Sequence, residues 1–332
     1  MISIEIDKET DSDWNKRLLS SEFGSIYQTK EYGLYVKERI KSKPLYLKFY
    51  SNNDELVGQL LAFQSFKGRG KIAKYFGRGM LYSAVAKISD MMPKYIYWIF
   101  GPVVFNNELQ SEVSESLGNV LNSWEVKFSG SIHPLNNDFN FDKKFNFQKN
   151  ESGTFIIDLK QDLQKTLDNA DKNSVKKNIK RAQERGVTIS EISSNEDLLT
   201  YHRLLFTHRK ENDLLPYSVD DIVNGFNVMK SVGQKGFLAW HDKMPIGGIF
   251  ISSFNNYINE WGIARSKIDT EKNLYSLDLL RWNIITWGKE NHCNYYDLSG
   301  VKLSRITPKD ESLFRNKKKW GGNLVIYPVF ST

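Results

Sequence analysis

The chain has 332 residues, 40% of them apolar and 13% aromatic, with 46 lysines and arginines against 39 acids for a formal net charge of +7. That length suggests two domains, and the basic balance favours nucleic acid, phosphorylated substrates or anionic membrane surfaces over cationic partners. Cys293 is the only cysteine, which excludes an intramolecular disulfide and a thiolate zinc site.

The start, MISIEIDKETDSDW, is acidic and lacks the basic end and apolar core of a signal peptide. No run approaches the roughly 18 to 20 apolar residues of a spanning helix, so a cytoplasmic location is expected. Leu45–Tyr50 reads as a strand, Ser51-Asn52-Asn53-Asp54 as a turn, and Leu56–Phe63, carrying Gly58, as the returning strand. Glycine-bearing basic turns follow at Lys67–Lys71 and Phe76–Met80. A helix end at Ser89–Lys94 leads into the strand Tyr95–Phe100, closed by Gly101-Pro102.

The polar stretch Pro134–Ser152 is the best domain boundary. Beyond it, a strand from Phe155 runs into a cationic helix, Lys172–Arg185. Lys172, Lys176 and Lys180 form one row and Lys177, Arg181 and Arg185 a second, while Val175, Ile179 and Ala182 keep an apolar stripe. Such a helix docks on a core and holds out a positive face, which points to a large anionic substrate; a solvated face without special purpose is the plain alternative. Next come the strand Phe237–Trp240, the turn His241-Asp242-Lys243 and the strand Pro245–Ser253 with Gly247-Gly248. They are followed by the strand Tyr257–Ile263, the helix Tyr275–Glu290 and the strand Tyr295–Leu298, closed by Gly300. The chain ends with the cation-rich Phe314–Gly322 and a strand, Leu324–Phe330.

The order of hairpin with a glycine, then helix, strand and glycine, occurs twice at an offset of roughly 190 to 200 residues. A duplicated α/β (α+β) unit is expected: residues 1–150 and 151–322, with 323–332 returning to the first. Hairpins followed by a helix and another strand argue for mixed, mostly antiparallel sheets flanked by helices rather than a doubly wound parallel sheet.

The five histidines, His133, His202, His208, His241 and His292, make no paired metal-ligand spacing. There is no nucleophile elbow, no Walker loop and no dinucleotide fingerprint. No metal, no cofactor and no covalent enzyme intermediate are expected. What is left is direct transfer between two bound substrates, driven by proximity and charge stabilisation. In FRNKKKWGG, a lysine beside Gly321-Gly322 could stabilise an oxyanion, with a basic turn before an edge strand as the plain alternative.

Six segments together resemble the Fem-type (FemABX) aminoacyl transferases over nearly the full length. These are IYQTKEYGLYVKE, YWIFGPV, KNSVKKNIKRAQERGV, LLFTHRKEND, NYYDLSG and FRNKKKWGG. The resemblance implies two tandem acetyltransferase-like (GNAT) domains. It also implies transfer of an amino acid from aminoacyl-tRNA to an amine on a nucleotide- or lipid-linked cell-wall precursor. By motif, the oxyanion lysine falls on Lys317. The family phenylalanine that precedes it is replaced here by Asn316, and Arg315 and Lys318 stand beside Lys317 as substitutes and phosphate ligands. Lys37 and Arg209 fall on the phosphate-holding positions, Arg209 being the better suited to clamp a phosphate bidentately. Tyr275 matches a tyrosine near the reacting groups. Asp297 either orders a neighbouring turn or acts as general base. Lys172, Lys176, Lys177, Lys180 and Arg181 would track the phosphates of the tRNA donor. The long helical hairpin of some members is missing.

Two other readings remain. One keeps the fold and takes acyl-CoA as donor, although the pyrophosphate loop of that superfamily is not found. The other is a non-catalytic module for RNA or an anionic glycan. Peripheral contact with an anionic membrane is a further expectation, and oligomeric state is open.

Overall fold

The computed structural model describes residues 2–66 and 94–332. The basic turns at Lys67–Lys71 and Phe76–Met80, and the expected helix end before Lys94, lie outside the described residues. The chain divides into two compact units, one comprising residues up to Ser152 with Ile326–Thr332, the other Gly153–Val325.

The first unit contains β1 (Ser3–Asp7), α1 (Trp14–Leu19), a 3-10 turn (Ile26–Gln28), α2 (Lys30–Ile40), β2 (Lys43–Tyr50), β3 (Leu56–Phe66), β4 (Lys94–Trp98), β5 (Val103–Val104), α3 (Gln110–Ser123) and β6 (Lys127–Ser131). It also holds the start of β7 (Gln148–Asp158) and the end of β13 (Asn323–Ser331). The strands lie in the order β1-β2-β3-β4-β6-β13, with β5 beside β3. The pair β4 and β6 is parallel and the others are antiparallel. The helix α3 supplies the crossover that a parallel pair needs. The turn read from Ser51–Asp54 forms as expected, with Asp54 in the left-handed region at φ 57°. Phe49, Leu60, Trp98, Val113, Leu117, Phe128 and Phe330 share the core.

Gln28 occupies a special place in this unit. It is fully buried, and its Nε2 donates to the carbonyls of Ile99 (2.8 Å) and Leu61 (3.3 Å) while its Oε1 accepts from Leu61 N (2.7 Å). The side chain thus satisfies backbone groups of β3 and of the segment leaving β4. Buried backbone groups without partners are costly, which gives a physical reason for a glutamine ahead of α2.

The second unit contains the rest of β7, then α4 (Leu163–Asn169), a π-helical turn (Lys172–Lys176), α5 (Lys177–Glu184), β8 (Thr188–Glu191), α6 (Asn195–Glu211), α7 (Val219–Lys230), β9 (Gln234–His241), β10 (Met244–Phe254), β11 (Tyr257–Arg265), α8 (Lys267–Glu271), α9 (Ser276–Glu290), β12 (Tyr295–Val301), α10 (Pro308–Lys318) and the start of β13. Its strand order, β8-β9-β10-β11-β12-β7, repeats that of the first unit, again with a parallel pair in fourth and fifth place, β11 and β12. Each unit is a mixed, mostly antiparallel sheet flanked by helices. The boundary between the units falls inside β7, so the end of the polar stretch Pro134–Ser152 is strand rather than linker.

The expected glycine signals have local causes here. The basic helix ends at Gly186 (φ 74°), where Gly186 N reaches Gln183 O and Val187 N reaches Ala182 O, a Schellman stop. Gly247 and Gly248 alternate across the sheet. A Cβ on Gly247 would lie 2.6 Å from Ser276 Oγ, and one on Gly248 would lie 2.8 Å from the Tyr201 ring, so they admit α9 on one face and α6 on the other. Gly321 and Gly322 pack their backbone on Asn169 and Ile156 rather than on open space. The stripe Val175, Ile179 and Ala182 is buried with Phe237, Ile249 and Ile284 in one core, while Tyr201, Leu205, Phe226 and Phe250 form another.

Replacing Gln28 by leucine keeps the volume but strands three backbone groups. We expect Gln28→Leu to lose about 3 kcal/mol of stability, read as a lower urea midpoint for the first unit.

Candidate functional site

The second unit's sheet opens where its parallel pair ends. Pairing of β11 with β12 runs from Tyr257↔Tyr295 to Asn259↔Asp297 and stops there. β12 continues beside β7 through a register shift between Asp297 and Gly300. Ser299 sits in this irregularity at φ 67°, its N–H donating to Asp297 Oδ1 (2.7 Å) and its hydroxyl to the Glu260 carbonyl. The Ser299 and Gly300 carbonyls each accept from Lys317 Nζ at 2.9 Å.

Lys317 reaches them because Phe314 and Lys317 lie on the inward face of α10. It is 4% exposed. Burial pulls its pKa down to about 8, opposed by the charge of Glu260 and helped by that of Arg281. Two of the ammonium's three N–H groups go to the carbonyls, leaving one for another acceptor.

A buried ion pair stands beside it. Arg281 Nε and Nη2 each lie 2.9 Å from an oxygen of Glu260, and Tyr296 donates to the same carboxylate at 2.6 Å. Burial pushes the Glu260 carboxyl up, but Arg281 outweighs it and holds the net value below the ordinary one. The third arm of Arg281 donates to Asn316 Oδ1 at 2.9 Å. Asn316 therefore fixes this arginine.

Asp297 is 1% exposed and accepts from Thr154 Oγ1, Tyr257 OH (2.8 Å), Asn259 Nδ2 (3.5 Å) and Ser299 N. Burial raises its pKa, against the pull of these donors and of Lys317. With its lone pairs occupied, Asp297 fits a positioning role: it sets Ser299, and Ser299 presents the carbonyls that hold Lys317.

On its other side, α10 lines a cavity of about 890 Å³ together with the start of the basic helix. Arg315, Asn316 and Lys318 meet Asp171 and Ser174 there. Arg315 is paired with Glu311 at 2.7 Å, Lys319 with Asp278 at 2.6 Å, and Lys318 has no ion-pair partner among the described residues. Lys172, Lys177, Lys180 and Arg181 are exposed, whereas Lys176 is half-buried and pairs with Asp168.

The remaining expected residues lie elsewhere. Tyr275, at φ 56° before α9, packs under the guanidinium groups of Arg181 (5.9 Å to the ring centre) and Arg185 (5.6 Å), and no contact with Lys317 or Asp297 is seen among the described residues. Arg209 is stacked on Tyr217 at 4.1 Å and its Nε donates to Leu215 O at 2.6 Å. Its terminal nitrogens pair with no carboxylate among the described residues; neither Glu211 nor Asp213 takes it. Lys37 belongs to the first unit, where it lines a cavity of about 330 Å³ with Lys8, Lys30 and Tyr46. Burial, with the Glu31 charge, pushes the Tyr46 phenol up to about 12.

Glu260, Arg281 and Tyr296 were not anticipated from sequence. The signal was present: Glu260 interrupts the strand Tyr257–Ile263, and Arg281 interrupts the apolar run Leu279–Ile285. Charges in core-facing positions are rarely tolerated unless paired.

No family and no curated protein matches the chain by sequence. Solved structures do match in fold. The crystal structure of FemX aligns with a TM-score of 0.72 at 12% identity, covering 98% of this chain and 96% of that one. L-PGS from Bacillus licheniformis gives 0.58 at 12% identity, over 98% and 93%. A tandem GNAT protein from the clavulanic acid biosynthesis pathway gives 0.51 at 10%, over 100% and 98%. The chain has the Fem-type, tandem GNAT-like fold.

The lowered pKa of Lys317 carries a sign. Between about 8 and its ordinary 10.5, the unfolded chain keeps a proton that the native chain has released. Stability should therefore rise with pH across that window. Urea unfolding at pH 7 to 10 should show wild type gaining on Lys317→Met as pH increases.

Proposed function

We propose that the protein is an acyl transferase that moves an aminoacyl group from aminoacyl-tRNA onto an amine of a cell-envelope precursor. The observation that carries this reading is the buried Lys317 ammonium, fixed at the opening of the parallel pair with one N–H to spare, on a Fem-type tandem fold.

In this scheme the amine nitrogen attacks the ester carbonyl of the donor. The C–N bond forms, negative charge gathers on the carbonyl oxygen, and Lys317 donates to it. The C–O bond then breaks and the amine proton passes to the departing ribose oxygen. No enzyme acyl intermediate is needed. An ammonium in a dry site stabilises such an oxyanion far more than it would in water. Asp297 and the Glu260–Arg281 pair hold Lys317 in place and touch no reacting atom.

The donor's phosphates would run along Lys172, Lys177, Lys180 and Arg181, with Arg315 and Lys318 at the cavity that adjoins the helix. Lys176 is partly neutralised by Asp168 and contributes less. Arg209 would hold an acceptor phosphate. Arg209 suits this because stacking on Tyr217 and the bond to Leu215 orient its fork while leaving its end open. Tyr275 serves the donor side by bracing Arg181.

Incubation with charged tRNA or with acyl-CoA, following loss of a labelled acyl group, separates this reading from the acyl-CoA alternative. Consumption of neither donor with any amine would favour a binding module. Lys317→Met should lower kcat about 100-fold or more while circular dichroism remains that of wild type. Because the protonated lysine is the active form, wild-type kcat should fall above pH about 8. A flat profile to pH 9.5 would remove Lys317 from the chemistry.

Binding of tRNA should weaken steeply with salt. Replacing Lys177 and Lys180 together by alanine should reduce the slope of log K against log salt by about 2. An unchanged slope would take the basic helix out of the donor site.

A further inference from the structure

We propose that the loop joining β12 to α10, with the outer face of the first turns of α10, docks on an anionic phospholipid bilayer. The loop reads KLSRITPK from Lys302 to Lys309. Ile306 is 83% exposed, the highest value for a large apolar side chain among the described residues, and Leu313 on α10 is 42% exposed. Lys302, Arg305 and Lys309 surround them and are all exposed. The two acids of the segment, Asp310 and Glu311, are half-buried and engaged. Asp310 accepts from Thr307 at the start of the helix (2.8 Å) and pairs with Lys302 (3.1 Å), and Glu311 pairs with Arg315 (2.7 Å).

A single exposed isoleucine is ordinary. Here the apolar tip is ringed by cations, of which Lys302 and Arg305 share ion pairs with Asp310 and Glu311 while Lys309 has no ion-pair partner among the described residues. An interfacial anchor has this composition: the apolar side chains enter the acyl boundary while lysines and arginines meet lipid phosphates. Nucleic acid would use the cations but would gain nothing from Ile306 and Leu313. Pro308, Ser312 and Arg315, which follow directly, line the cavity described above. Docking would therefore bring the cavity mouth to the membrane surface, within reach of a lipid-linked amine. That last step rests on the acyl-transfer reading, whereas the docking does not.

The test is flotation of the full chain with phosphatidylcholine vesicles, with and without phosphatidylglycerol. Wild type should float only with the anionic vesicles. Ile306→Ser should weaken binding about tenfold, and Lys309→Glu about fivefold or more at low salt. Both variants should keep wild-type circular dichroism and wild-type turnover with a soluble acceptor. Equal binding to both vesicle types, no binding to either, or full binding by Ile306→Ser would each overturn the proposal. A loss of tRNA affinity in Ile306→Ser would overturn it too, by assigning the surface to RNA. If vesicles bind as expected while no acyl donor is consumed, the docking stands and the acyl-transfer reading falls.

Discussion

The second unit depends on one ammonium satisfying the backbone where two parallel strands separate. Once β12 leaves β11 after Asp297, the carbonyls of Ser299 and Gly300 are met by Lys317. Such acceptors must be met by some donor. Lys317 meets both, but a buried charge is costly unless it is hydrogen-bonded and balanced. Its neighbours supply that balance: the carboxylates of Glu260 and Asp297 oppose its loss of charge, while Arg281 limits them. The pair Glu260–Arg281 is in turn held by Tyr296 and Asn316. The polar core of this unit follows from the strand geometry as one connected requirement.

The first unit has the same strand order and the same parallel pair, yet resolves its exposed backbone differently. There Gln28 meets backbone groups of β3 and of the segment leaving β4 with a neutral amide that both donates and accepts. An amide needs no counter-charge, and no buried acid–base network accompanies it among the described residues. The two units thus share a strand order, while the buried ammonium lies in the second. Oxyanion stabilisation needs a fixed positive group in a dry place, and under the acyl-transfer proposal Lys317 would supply it from the second unit.

Much of this was legible in the sequence because it rests on local rules. The paired hairpins, the stop at Gly186 and the buried stripe Val175, Ile179, Ala182 are set by turn chemistry and periodicity. The start of β7 was not legible, because Gln148–Glu151 are exposed and polar and read as loop. Gly321-Gly322 gave a correct turn with another cause, close packing on neighbouring backbone. The site was legible only in part. Lys317 and Asp297, candidates from motifs, are linked through Ser299. Their company was not legible, since Glu260 and Arg281 lie on different elements and meet only after the sheet forms. Tyr275, in a left-handed backbone conformation, lies beside Arg181 and Arg185.

The run Lys317-Lys318-Lys319 shows how a helix makes different residues of one residue type. Successive side chains on a helix point about 100° apart. Lys317 therefore enters the core, Lys318 faces the cavity, and Lys319 reaches Asp278, whose carboxylate also accepts from Asn178 of α5 at 2.7 Å. Composition alone reads this run as a solvated basic patch, yet each lysine meets a different dielectric. The compactness of the ammonium matters at the first position. Three donors around a point charge can serve two carbonyls and still offer one bond, whereas a planar guanidinium would require a wider set of acceptors in one plane. A lysine at 317 is thus chosen by the shape of the gap before any demand of catalysis. Burial there also pulls its pKa down to about 8, a loss of proton that an arginine would not undergo.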